Sequence, residues 1–145
     1  MGNQRGGSDL TWVAPALGGL GAVALGLLYA GYAFGPTEAE VAGWGRVAII
    51  LGVALILVTA ARAVAKPVMT LVVSATTLVA VATALIQLPP IVLWFVFHGS
   101  GISDGTPPSS FVAHWAYALP HAIVAALCLG GALAYARRAG APANA

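Results

Sequence analysis

Charge is what this sequence has least of. Asp, Glu, Lys and Arg together make up 7% of its 145 residues, where a soluble domain carries about 25%. Six basic and four acidic side chains cannot clothe a water-facing surface of this size, so a soluble globular fold is close to excluded. Disorder is excluded from the other side. It needs low hydrophobicity and high charge, and this chain is 60% apolar. The single cysteine, Cys128, sits inside an apolar run. One cysteine permits no intramolecular disulfide, no two-cysteine redox relay and no Cys-rich metal site. There is no basic stripe of the kind that marks a nucleic-acid partner.

Catalytic patterns are missing as well. The acidic residues Asp9, Glu38, Glu40 and Asp104 are terminal or lie between apolar runs, so paired carboxylates for acid–base work inside a membrane are absent. No G-x-S-x-G and no glycine-rich phosphate loop with its lysine occurs. The sequence therefore points away from an enzyme.

What is present is four long apolar stretches. A helix needs about 20 apolar residues to cross roughly 30 Å of hydrocarbon, and four runs reach that length: residues 12–34, 41–63, 68–97 and 111–136. The runs lack the alternation of spanning strands. The expected fold class is thus an all-α integral membrane protein. It has one four-helix domain over residues 12–136, an antiparallel up-down bundle with tails at 1–11 and 137–145. The first run exceeds the apolar core of a usual cleaved signal peptide and reads as a retained helix. Gly35-Pro36 ends it, and Thr37 with Glu40 has the spacing of a capping box. Lys66-Pro67 opens the third helix, and residues 98–110 form a polar loop rich in Gly, Pro and Ser.

Orientation follows from cations near the span ends. Arg5, Arg62, Lys66, Arg137 and Arg138 fall on one side of a four-span chain and Arg46 alone on the other. Both termini are therefore expected in the cytoplasm, in a cell inner membrane. The Ala, Gly and Val richness suggests a bacterial genome of high GC content.

Helix association in lipid depends on close backbone approach through small residues. The first span carries Ala14, Gly18, Ala22, Gly26 and Ala30 at four-residue spacing, and the last carries Ala118, Ala122, Ala126, Gly130 and Ala134. These rows, with Gly18, Ala22, Gly26, Ala122, Ala126 and Gly130 at their centres, are expected to pack against one another or across an oligomer interface. Aromatic residues such as Tyr29, Trp44, Trp94 and Trp115 gather toward the outer ends of the spans, with Trp12 and Tyr135 at the inner ends. Such placing reads as interfacial belts.

Polar residues inside a span are site candidates by default. Gln87, Trp94 and His98 share a face of the third span, and His114, Tyr117 and His121 share one of the fourth. An antiparallel hairpin sets Gln87 at the depth of His121, close to Pro89-Pro90 and Pro120. Three readings compete for this patch. In the first, His121 and Gln87 bond carbonyls released by the prolines. In the second, a lipid or quinone pocket lies in the outer half between the last two spans. In the third, which has the least support, haem or metal is bound by His98, His114 and His121. No cofactor is expected on balance. The function expected is that of a non-enzymatic structural or accessory component, acting through helix contacts on a membrane-protein partner or on a second copy. Small-molecule transport or lipid and quinone binding is the alternative, and the lipid bilayer is the partner common to all of these.

Overall fold

The structure is a computed structural model that describes residues 10–30, 39–64, 70–95 and 111–139. Every described element is helical: a 3-10 turn at Leu10–Trp12, then α1 (Val13–Ala30), α2 (Ala39–Val64), α3 (Thr70–Leu85), α4 (Leu88–Phe95) and α5 (Phe111–Ala139). Four segments are long and apolar enough to cross a membrane, namely Val13–Ala30, Ala42–Ala61, Ser74–Val92 and Ala118–Arg137. The third of them is made by α3 and α4 together. The expected polar loop 98–110, Thr37 of the expected capping pair, and residues 1–9 and 140–145 of the expected tails lie outside the described residues.

The third span differs from the unbroken helix expected over residues 68–97. It is interrupted at Ile86 and Gln87. Pro89 and Pro90 have no backbone N–H, so the carbonyls of Leu85 and Ile86 lose their helical donors. The chain responds by tightening. Gln87 N–H donates to the Ala84 carbonyl at 3.1 Å, a three-residue step, and Ile91 N–H takes up the Gln87 carbonyl at 3.2 Å. The two prolines then occupy the first turn of α4, where a missing N–H is tolerated. Pro120, by contrast, sits within a continuous α5.

The helices close a ring in the order α1, α2, α3, α5. Helix α1 packs on α2 and α5, α2 on α3, and α5 on α3 and α4. A glycine seam brings the backbones of α1 and α2 together. A Cβ placed on Gly19 would lie 2.9 Å from the Gly52 carbonyl oxygen, and one on Gly52 would lie 2.6 Å from that of Gly19. Gly26 and Gly45 repeat the arrangement at 2.6 and 2.7 Å. The pairing of 19 with 52 and 26 with 45 sets these helices antiparallel. Helix α5 also runs antiparallel to α1, with Gly131 against Pro15 and Cys128 against Gly18.

These contacts redistribute the expected small-residue rows. Gly18, Ala22 and Gly26 are buried, but Gly18 meets α5 whereas Gly26 meets α2. On α5, Ala122 is half-buried, Ala126 and Gly130 are exposed, and a Cβ on Gly130 would meet nothing within 4 Å. Geometry explains both. At 3.6 residues per turn, each four-residue step drifts about 40° around the helix. A row of such steps therefore leaves one interface for another, or for the surface. The seams that form use seven-residue spacing, 19 to 26 and 45 to 52, which keeps one face. The inward face of α5 runs instead through His121, Val124, Cys128, Ala132 and Tyr135.

Polarity is arranged inside out relative to a water-soluble fold. Leu78 and Ile50 are 70% and 66% exposed, and Leu20, Leu57 and Leu133 are also on the outside. Thr59, Thr76, Thr83, Gln87 and His121 are buried. Thr59 and Thr83 donate to carbonyls four residues back, at 2.6 and 2.7 Å, the back-bonding open to hydroxyls within a helix.

Candidate functional site

Near one end of the helices, each of the four apolar segments contributes to a single polar cluster. Tyr29 comes from the last turn of α1 and Trp44 from the early part of α2. Ile86 and Gln87 come from the break between α3 and α4, and His121 from α5. The Tyr29, Trp44 and His121 rings form a triangle with centroids 5.0 Å (Tyr29–Trp44), 5.4 Å (Tyr29–His121) and 5.4 Å (Trp44–His121) apart. Two of the three pairs meet edge to face, an arrangement that adds to the gain from burial alone.

The hydrogen bonds have a direction. His121 Nδ1 lies 2.7 Å from Gln87 Oε1, and Nε2 lies 2.9 Å from the Tyr29 hydroxyl. With Gln87 Oε1 turned to the ring, Nδ1 carries the proton and donates, because an amide oxygen only accepts. Nε2 then accepts from the Tyr29 O–H, and a neutral imidazole satisfies both bonds. The relay runs Tyr29 to His121 to Gln87 and joins the first, fourth and third spans. Trp44 joins the second, its indole N–H donating to the Ile86 carbonyl at 2.7 Å. That carbonyl is the one whose helical donor Pro90 removes.

The relay leaves one atom over. Gln87 is fully buried, and its Nε2 has no hydrogen-bond partner among the described residues. Turning the amide over would exchange its ends and still leave one of them idle. An unsatisfied buried group of this kind costs about 1–3 kcal/mol.

Among the residues singled out by sequence, the fold brings Gln87 and His121 into direct contact. Trp94, His114 and Tyr117 lie on described helices, but their side chains lie outside the description, as does all of His98. The expectation that His121 and Gln87 would cap proline-released carbonyls gives way to a different arrangement. They bond each other, and Trp44 caps the carbonyl. Tyr29 and Trp44 are corrected from belt residues to members of the cluster, and Tyr135 from belt to core. Tyr29 is 4% exposed and Tyr135 fully buried. The first two carry no separate signal in the sequence; the packed face that marks them emerges only from the fold. Tyr29 lies seven residues beyond the buried Ala22, and Trp44 four residues before the buried Ala48, each on the packed face of its helix.

Both ring nitrogens of His121 are engaged, so ligation of haem or a metal there requires breaking a bond to Tyr29 or Gln87. Among the described residues no group of three His, Cys, Asp or Glu side chains converges. Comparison with family models, with characterised proteins and with solved structures finds no match for this chain.

Proposed function

We propose that the chain is a small multi-pass protein of a bacterial inner membrane, an antiparallel up-down bundle with both termini in the cytoplasm. Its role is structural or accessory rather than enzymatic, exerted through helix contacts on a membrane-protein partner or on a second copy. The observation that carries this reading is the inverted polarity. Large aliphatic side chains face outward, and the buried polar atoms of the cluster are engaged mainly with one another across all four spans. His121 is buried and bonded on both sides to groups on two other helices, which suits a structural role. The cluster reads as an internal clasp that fixes the relative positions of helices.

Purification in mild detergent tests the reading. The expected preparation shows only the ultraviolet absorption of its aromatic residues, and its native protein mass exceeds the 14.5 kDa of one chain. A Soret band, or a strictly monomeric protein in gentle detergent and in nanodiscs alike, would contradict it.

A further inference from the structure

The clasp accounts for every polar atom of the cluster named above except one. Gln87 Nε2 carries two N–H donors, is fully buried, and has no partner among the described residues. It sits at a break in a membrane-length segment, and non-helical backbone at such depth is tolerated where it is enclosed by protein or lines a cavity. Discontinuous spans are also where polar solutes are held in membrane proteins. What the amide would hold is set by its chemistry. With Oε1 turned to His121 the idle atoms are donors, so the occupant accepts. None of the side chains that build the cluster is formally charged, so the occupant is neutral. Oxygen is the acceptor that a membrane interior supplies, in water or in a carbonyl.

We propose that Gln87 Nε2 is the binding point for a neutral oxygen acceptor, seated against the break between α3 and α4. Its two sources are a buried water and the carbonyl of a membrane amphiphile, an ester lipid or a quinone. The relay aims the donor: Tyr29 holds His121, and His121 Nδ1–H holds Gln87 Oε1, which leaves the amide N–H groups directed away from the imidazole. The inference rests on the membrane reading given above. It does not depend on a partner or on self-association, so the native mass of the protein and the outcome below fail separately.

Solid-state NMR of the full-length protein in bilayers tests it directly. The chain has only two glutamines, Gln4 and Gln87, so a Gln4→Ala protein leaves a single glutamine side-chain amide, that of Gln87. The Gln87→Met protein confirms the assignment where it folds. Three samples separate the sources: phosphatidylethanolamine–phosphatidylglycerol vesicles, the same lipids labelled with 13C at the ester carbonyl, and the same lipids with added decylubiquinone. The proposal expects the Gln87 NH2 protons to show a cross-peak to water, a cross-peak to the labelled lipid carbonyl, or a saturable downfield shift with decylubiquinone. Whichever appears names the source. A Gln87 NH2 with no water contact, no carbonyl contact and no response to the quinone overturns the proposal.

Discussion

His121 is the residue on which the cluster turns, because its two ring nitrogens bond side chains from two different helices. Its removal takes a hydrogen-bond partner from both the Tyr29 hydroxyl and the Gln87 carbonyl oxygen, both deeply buried. His121→Leu should therefore cost about 1–3 kcal/mol, as two buried polar groups each lose a hydrogen bond. Tyr29→Phe removes one bond and leaves Nε2 without its donor, a smaller loss. Combined in a double-mutant cycle, the two should show a coupling of about 0.6–1.7 kcal/mol, the range for hydrogen bonds between membrane helices. Reversible unfolding in mixed micelles measures it, and additive effects would show that the bond is not formed. At this scale the sequence was half legible. Gln87 and His121 stand out because amides and imidazoles are rare in apolar spans. Tyr29 and Trp44 do not, because an aromatic ring near a span end suits the membrane interface and the core equally well. Only its place on the packed face decides.

Among the elements, the α1–α2 seam and the broken third span carry the architecture. Gly26→Ala would bring a methyl group within 2.6 Å of the Gly45 carbonyl oxygen and 2.9 Å of the Ile49 backbone nitrogen. Backbone atoms cannot step aside as a flexible side chain can, so the helices must separate, at a cost of about 1–3 kcal/mol. Gly43→Ala and Gly130→Ala, where an added Cβ meets nothing within 4 Å, should be neutral or slightly stabilising through better helix propensity. Thermal melting in detergent distinguishes the two classes, and equal effects at all three positions would refute the seam. The existence of the helices was readable from run length alone, and so was the small-residue character of α1. Which glycine meets which helix was not. Four-residue rows drift around a helix, and the seven-residue pairs that hold a face are hidden in a chain with 18 glycines. The interruption at Ile86 and Gln87 was foreshadowed by Pro89-Pro90. Its repair by a tryptophan more than 40 positions away was not, since that contact exists only once α2 packs on α3.

For the molecule as a whole, the account requires a chain that crosses the bilayer four times, with its aliphatic surface in lipid and its polar cluster enclosed. Composition points the same way, since the chain has few charges and its leucines and isoleucines face outward. The direction of insertion rests on the cation bias, five residues against one. The most direct test is labelling by a membrane-impermeant maleimide at Ser8→Cys, Ala65→Cys and Ser103→Cys, each made singly. The native Cys128 is fully buried and contributes no background. In intact cells Ser103→Cys should react, whereas Ser8→Cys and Ala65→Cys should react only after the membrane is opened. Labelling of Ala65→Cys in intact cells, or equal labelling of all three, would contradict the four-span arrangement.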